Sequence, residues 1–298
     1  MTLHQNRISP IVVQFFDQDT STFSYVVSDP DSNCCAVIDS VWNLDYASGT
    51  LSSESADRII KHIQSHKLSV EWIIETHVHA DHISASSYIK NLLGGKIAIS
   101  ENISQVQKTF AKVFNEESGF PCDGSQFDYL FSDDEHYLIG NLQAQAVSTP
   151  GHTPACMTHL IGDAAFVGDT LFMPEKGTAR ADFPGGSAVN LYQSIQKILA
   201  FADETRLFMC HDYSDQHPEL AFETSVIDQR NRNIHINSNV SEESFVLMRE
   251  ARDATLAMPR YILPSLQINM RAGQLPKPQS NGLSYLKIPL NAFARKTS

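Results

Sequence analysis

Four short segments rich in histidine and aspartate, each directly after an apolar run, constrain the fold of this 298-residue chain more than any other feature. THVHADH (76–82) follows VEWIIE, TPGHT (149–153) follows LQAQAVS, Asp169 closes AAFVG, and His211 closes RLFMC. Apolar runs of this length predict buried strands. In a layered α/β fold the downstream ends of such strands share one edge, where ligand sites form. We therefore expect these distant segments to meet at one edge of a sheet.

Strands alternate with helices over the first two thirds of the chain. A strand–turn–strand pattern at 11–40 ends its second strand at Asp39, and SSESADRIIKHIQSHKL follows with isoleucines on one helical face. DHISASSYIKNLLGG and AVNLYQSIQKILAF have the same helical pattern. The alternation indicates layers of helix and sheet.

The character of the chain changes from about residue 214. SEESFVLMREARDATLAM predicts a helix, with Ser241 as its N-cap and Pro259 just beyond its end. The remaining residues contain prolines and glycines throughout, which predicts an extended tail laid over the body. We expect residues 216–298 to be a C-terminal extension made of this helix and tail.

The composition excludes several classes of protein. Asp and Glu outnumber Lys and Arg by 34 to 22, a net charge of −12 that would repel a nucleic-acid backbone. No apolar run approaches the roughly 20 residues of a membrane helix. The N-terminal MTLHQNRISP lacks the apolar core of a secretory signal, so we expect a cytoplasmic protein. Five cysteines without CxxC spacing argue against a disulfide framework.

The spacing of the motif residues predicts a metal site. His77 and His79 are two apart on an extended strand end, so their rings point toward one ion. Asp81 and His82 follow a turn and face a second position, and Asp169 has two oxygens with which to bridge both. His152 would complete the first position and His211 the second. The predicted ligands are therefore His77, His79, Asp81, His82, His152, Asp169 and His211, a set that suits Zn, Fe or Mn.

The motifs HVHADH, PGHT, GD and HD, in this order, resemble those of the metallo-β-lactamase superfamily. The resemblance covers about residues 11–215. It implies a four-layer αββα sandwich with the metal site at the edge that its two sheets share. We thus expect an αββα domain at 1–215 with the extension at 216–298 packed on it.

One further stretch indicates a branch of this superfamily. GTARADFPGG (177–186) is similar to the segment of persulfide dioxygenases (sulfur dioxygenases) in which an Arg-x-Asp-Phe run ends at a glycine. NMRAG and the LPKP tail resemble the β-lactamase-like hydrolases of sulfide-responsive operons. An alternative role for Arg180 is a salt bridge with Asp182 that orders the loop.

The resemblance to dioxygenases implies one Fe(II) per chain, held by His77, His152 and Asp169. It implies oxidation of a thiol persulfide, such as glutathione persulfide, to sulfite and the free thiol. The other histidines and Asp81 would then orient the ligands and accept hydrogen bonds from bound water. Arg180 would pair with a substrate carboxylate, and Tyr213 would donate a hydrogen bond into the pocket.

Two alternatives stay open at this point. The same ligands suit a glyoxalase II-like thioester hydrolase, in which zinc, as one or two ions, lowers the pKa of bound water to about 7. A noncatalytic metal-dependent sensor or partner subunit is the third interpretation, and the intact ligand set counts against it. A rhodanese-like sulfur-transfer protein is the candidate partner for substrate supply. A dimer is compatible with the sequence, which does not determine the oligomeric state.

Overall fold

Two six-stranded sheets form the centre of the molecule. The computed structural model describes residues 8–116, 119–213 and 220–293, with elements numbered in chain order. The first sheet has the spatial order β1 (Ile11–Asp17), β2 (Thr22–Ser28), β3 (Cys34–Ile38), β6 (Ser69–Ile74), β8 (Lys96–Ser100) and β9 (Tyr129–Phe131). The second has the order β10 (Glu135–Ile139), β11 (Leu142–Ser148), β12 (Met157–Ile161), β13 (Ala164–Phe166), β14 (Arg206–Phe208) and β15 (Glu223–Ser225). A small third sheet has the order β5 (Thr50–Ser52), β4 (Val41–Asp45) and β7 (Ile83–Ser84).

Helices cover the outer faces of both large sheets. In the described part of the chain they are α1 (Glu54–Ser65), α2 (Ser86–Leu93), α3 (Ile103–Val113), α4 (Ala188–Leu199), α5 (Val226–Arg232), α6 (Glu242–Asp253) and α7 (Ile262–Asn269). Apolar residues of α1, α2, α3 and α7 pack on the first sheet, and those of α4, α5 and α6 pack on the second. The predicted four-layer αββα sandwich is confirmed.

Strand β2 shows why the sheets pair face to face. Phe23 and Tyr25 are in the cluster between the two sheets, where Tyr25 contacts Phe166 with ring centroids 5.2 Å apart. Val26 belongs instead to the cluster that includes Ile59 of α1. Successive side chains of a strand point to opposite faces, so an apolar strand of this kind is buried on both.

The two sheets are joined at the edge where the motif segments lie. Thr22, at the start of β2, forms an isolated β-bridge with His211, which follows β14. The backbone N–H of Phe23 donates to the carbonyl of Cys210 at 2.7 Å. These bonds bring the segment after β6, in the first sheet, next to the segments after β11, β13 and β14, in the second.

The C-terminal region has more regular structure than the sequence predicted. Strand β15 pairs antiparallel with β14 and so extends the second sheet. The expectation of an extended chain at 262–269 is wrong, because these residues form α7. Pro264 lies in its first turn, where proline is tolerated, and seven of its eight residues are buried. A helix buried on nearly all sides has no polar face to reveal its period.

Two predictions from the sequence concern the whole chain: a domain boundary and the lack of a membrane-spanning helix. The predicted domain boundary at 215 lies outside the described residues and stays a prediction. Within the ranges that the structure describes, no helix has the length and apolar character needed to cross a membrane.

Candidate metal centre

His77, His152 and Asp169 form the first group of the site. Their ligand atoms lie within 4.8 Å of one another, and all three residues are buried. Oδ2 of Asp169 is 3.6 Å from Nε2 of His152 and 3.9 Å from Nε2 of His77. Because a metal–ligand bond is about 2 Å long, two ligands of one ion lie up to roughly 4 Å apart. The three side chains therefore fit around a single ion.

Asp81, His82 and His211 form a second group beside the first. Nε2 of His211 is 3.0 Å from Oδ2 of Asp81 and 3.3 Å from Oδ1 of Asp169. Nδ1 of His82 is 3.5 Å from Oδ1 of Asp81. Asp169 thus presents one oxygen to each group, and His79 lies with Asp81 and His82. The fold brings all seven predicted residues to one place, and their individual roles as ligands stay predictions.

Unpaired polar atoms show that this donor set fits a cation. Among the described residues, five buried atoms of the site have no hydrogen-bond partner: Nε2 of His77, Nδ1 of His79, Nε2 of His82, Nε2 of His211 and Oδ1 of Asp169. A buried polar atom left unpaired costs about 1–3 kcal/mol, so such atoms are rare and call for an explanation. Metal ions bound between the two groups would satisfy all five.

The opposite ring nitrogens of the histidines are held by the protein. The partners are Oγ1 of Thr76 for His77 (3.0 Å), Oδ1 of Asp39 for His79 (2.9 Å), the carbonyl of Arg180 for His152 (2.8 Å) and the carbonyl of Ser21 for His211 (3.2 Å). A carbonyl only accepts, so Nδ1–H of His152 and of His211 donates, and Nε2 keeps its lone pair for the ion. Such partners fix the tautomer and aim the ring.

The charges of the site favour a cation. Burial and the neighbouring imidazoles lower the pKa of His77 well below its ordinary value, which keeps this ring in the neutral form that binds metal. Burial alone would also lower the pKa of His211, but the carboxylates of Asp81 and Asp169 raise it to about 9. Two negative charges therefore converge at His211, where bound metal could take the place of a proton.

Two buried carboxylates that sequence analysis did not single out support His79. Oδ1 of Asp39 accepts from Nε2 of His79, and its two oxygens also accept from the backbone N–H and the hydroxyl of Thr76 (2.8 and 2.9 Å). Oε2 of Glu75 is 3.4 Å from the same ring nitrogen. Their position in the sequence could have identified them, because Asp39 follows β3 and Glu75 follows β6 just as the predicted ligands follow their strands.

Arg180 lines the pocket at the site, and its guanidinium is engaged by neighbouring groups. Its Nε and Nη2 donate to both oxygens of Asp182 at 2.6 and 2.9 Å, and its Nη1 donates to the carbonyl of Ala257 at 2.6 Å. The salt bridge given as the alternative is therefore present. The backbone carbonyl of Arg180, rather than its guanidinium, reaches the metal group through His152. Pairing with a substrate carboxylate stays a prediction.

Tyr213 lies at the mouth of the site. Its ring stacks on that of His211 with centroids 5.0 Å apart, and its hydroxyl donates to Oδ2 of Asp81 at 3.4 Å. The side chain is 50% exposed, so it faces both the metal groups and solvent. A catalytic role for Tyr213 stays a prediction.

A pocket of about 390 Å³ opens over the first group. Phe172, Phe183 and Tyr213 form apolar parts of its wall, and Lys176 and Arg252 also line it. Arg180 and Arg249 of the same pocket pair with Asp182 and Asp253, whereas neither Lys176 nor Arg252 forms a salt bridge with a described residue. In a chain of net charge −12, two such cations make the pocket suited to an anionic substrate. Sequence analysis missed both, because nothing local distinguishes them from other surface cations.

Sequence comparisons give relatives along nearly the whole chain. A probable metallo-hydrolase of Burkholderia pseudomallei is 50% identical over 289 residues, which cover 94% of this chain and 98% of that protein. Glyoxylase B2 of Dictyostelium discoideum is 47% identical over 279 residues, covering 93% and 96%. The mitochondrial persulfide dioxygenase ETHE1 of Homo sapiens is 28% identical over 269 residues, covering 89% and 90%.

The fold has known counterparts as well. The crystal structure of ETHE1 from Myxococcus xanthus superposes with a TM-score of 0.70 at 26% identity, covering 89% of this chain and 100% of that one. The model of the metallo-β-lactamase superfamily matches residues 17–211, the part that contains all seven predicted ligands. With its αββα layers and its histidine–aspartate groups at the shared edge of the sheets, this chain is a metalloenzyme that belongs to the metallo-β-lactamase superfamily.

Proposed function

We propose that this protein is an iron-dependent persulfide dioxygenase, which oxidises a low-molecular-weight thiol persulfide such as glutathione persulfide. The observation that carries the proposal is the compact group of His77, His152 and Asp169 beneath an open pocket. Two imidazoles and one carboxylate with open positions are the ligand set of non-haem Fe(II) oxygenases. The likeness to persulfide dioxygenase ETHE1 supports the same choice.

The overall reaction balances with one water. One persulfide, one O₂ and one water yield one thiol, one sulfite and two protons. The terminal sulfur is oxidised and O₂ is reduced. His77, His152 and Asp169 would hold Fe(II), and the ion would supply the redox chemistry that O₂ needs to react with the terminal sulfur.

The protein's own groups bind the substrate and keep the ligands in place. Lys176 and Arg252 attract the carboxylates of a thiol such as glutathione, a role for which the guanidinium of Arg180 is less suited because Asp182 already engages it. Phe183 packs edge-on against the ring of His152, with centroids 5.2 Å apart, and shields it from water. Asp81 and the second-group histidines orient the site and accept hydrogen bonds from bound water.

A binuclear zinc hydrolase acting on a thioester is the second candidate. The second group, with the unpaired Nε2 atoms of His82 and His211, favours it. So do the relatives at about 50% identity that carry the names metallo-hydrolase and glyoxylase. In that case a second ion would bind between Asp81, His211 and Asp169, and the metals would lower the pKa of a bound water to about 7.

An oxygen-uptake assay separates the two candidates. The protein is loaded anaerobically with Fe(II) or with Zn²⁺, freed of excess metal, and given glutathione persulfide or S-lactoylglutathione. We expect about one iron per chain, with O₂ uptake and sulfite formation only in the iron form given the persulfide. Hydrolysis of S-lactoylglutathione without O₂, at two metals per chain and with no uptake, would overturn the proposal. His152→Ala should abolish either activity, so it tests the site and not the chemistry.

The persulfide must come from a sulfur-transfer reaction. We propose a rhodanese-like protein as its source and the cytoplasm as the place of reaction. A dimeric state stays a prediction.

A further inference from the structure

One side chain of α7 holds the loop that carries HVHADH. Nδ2 of Asn269 donates to the carbonyls of His79 and His82, at 2.9 and 2.8 Å. Its Oδ1 accepts from the backbone N–H of Ser84 at 2.8 Å. Asn269 is buried, and these three bonds span the backbone from residue 79 to residue 84. Asp81 and His82 therefore lie inside the segment that the amide closes.

The loop has little other backbone support. In the described part of the chain, residues 77–82 make no backbone–backbone hydrogen bond. The anchors on either side are the N–H of Met157, which donates to the carbonyl of Thr76 at 2.9 Å, and the pairing of β7 with β4. Between these anchors, the side-chain amide of Asn269 donates the hydrogen bonds that the loop's carbonyls accept from described residues.

The turn that follows α7 packs against the residues directly after this loop. A Cβ at Gly273 would lie 2.8 Å from the carbonyl oxygen of Ser84, so the close approach requires glycine. The hydroxyl of Ser87 donates to the carbonyl of Gly273 at 2.6 Å. The contact with Asn269 is thus part of a tight interface, and it lies outside residues 17–211, which the superfamily model matches.

We propose that Asn269 is a positioning residue of the metal site. By fixing the carbonyls of His79 and His82, it directs the unpaired Nδ1 of His79, the carboxylate of Asp81 and the unpaired Nε2 of His82 toward the ion. A planar amide with two donors and one acceptor suits this task, whereas a carboxylate would set its oxygens against two carbonyls. The inference rests on the metal site alone. In the hydrolase the loop would carry ligands of a second ion, and in the dioxygenase it would carry the groups that orient the iron ligands.

Gln267 of the same helix provides a matched control. Its Nε2 donates to the carbonyls of Leu263 and Lys287 at 2.8 and 2.9 Å, and its Oε1 accepts from the N–H of Lys287 at 2.8 Å. It is also buried. Gln267→Leu and Asn269→Leu therefore remove the same number of amide–backbone bonds from α7, but only the second variant affects the metal-binding loop.

The test measures metal binding in the full-length protein. Competition with a chelator gives the dissociation constants for Zn²⁺ and Co²⁺. The visible spectrum of the Co²⁺ form reports the ligand geometry, and thermal unfolding of the metal-free form reports the stability. We expect Asn269→Leu to weaken metal binding 10–100-fold and to alter the Co²⁺ spectrum. Gln267→Leu should lower thermal stability comparably while keeping the wild-type affinity and spectrum.

Two outcomes overturn the inference. One is wild-type affinity and spectrum in Asn269→Leu, and the other is an equal loss of affinity in Gln267→Leu, which would make both amides merely structural. If Asn269→Leu does not fold, Asn269→Ser is measured in its place, because the smaller side chain leaves room for water at the carbonyls. Lack of persulfide oxidation would refute the proposed reaction and leave this inference standing.

Discussion

The ring of His159, on β12, is buried and contacts aromatic residues of the cluster between the two sheets. Its Nδ1 is 3.0 Å from the hydroxyl of Tyr137, and its ring contacts Phe131 edge-on. Burial lowers its pKa to about 4, because the cation would lose its hydration. His211 is equally buried, yet two carboxylates raise its pKa to about 9. Neighbours, and not burial alone, thus separate a core histidine from one at the metal site.

His159 makes the stability of the fold sensitive to acid. Its pKa is about 4 when folded and about 6.5 when unfolded, so between these values only the unfolded chain takes up the proton. The free energy of unfolding should fall as the pH drops through this window, by about 3 kcal/mol in all. In metal-free protein, urea unfolding at pH 7.5 and pH 5 should show a smaller loss for His159→Leu than for the wild type. Equal losses of stability in the wild type and in His159→Leu would show that His159 is not the source of the acid sensitivity.

At the scale of elements, α4 supports the turn that presents His152. The N–H of Ser187, its N-cap, donates to the carbonyl of Gly151 at 2.8 Å, and the hydroxyl of Ser194 donates to the carbonyl of Pro150 at 2.6 Å. Gly151 has φ of +150°, and a Cβ there would lie 2.4 Å from Cα of Leu191. The turn and the helix can pack this closely because residue 151 has no side chain.

Gly151→Ala should therefore disturb the metal site through α4. The methyl group would push the helix backbone away from the turn and shift His152, at a cost of about 1–3 kcal/mol from overpacking. Urea unfolding should report the loss of stability, and metal analysis a lowered metal content.

Gly49→Ala is the control for this variant. Gly49 has φ of +68° but no heavy atom within 4 Å of the added Cβ. It should cost about 1–2 kcal/mol from backbone conformation alone and leave metal content unchanged. Normal metal content in Gly151→Ala would show that α4 does not position His152.

At the scale of the whole molecule, the metal site joins the two sheets. His77 follows β6 of the first sheet, whereas His152, Asp169 and His211 follow strands of the second. An ion shared between them would cross-link the two halves of the sandwich. Metal binding should then stabilise the entire fold.

Removal of metal should lower the melting temperature. A ligand present at 100 times its Kd contributes about 2.7 kcal/mol, which corresponds to a shift of roughly 4 °C for a chain of 298 residues. Thermal unfolding with and without a chelator measures this shift in melting temperature, and His152→Ala should show a much smaller shift. An equal shift in that variant would mean that the stabilising ion binds elsewhere.

The layers of the fold and the edge at which the site lies were predictable from the amino-acid pattern. Apolar residues recur every 2 residues in a half-buried strand and every 3.6 residues in a half-buried helix. Apolar patterns of this kind identified β6, β11 and α4. The main metal-binding motif was also recognisable, because His77, His79 and Asp81 lie within five residues of one another after a predicted strand. Short-range patterns of this kind are readable without knowledge of the fold.

The groups that support the site became visible only in the folded chain. Asn269 reaches His79 across 190 positions, and the carbonyl of Arg180 reaches His152 across 28. Lys176 and Arg252 come to one pocket from different elements. A side chain that acts through a distant contact has no periodic pattern of its own, because its partner is set by how the layers pack and not by its neighbours in the chain.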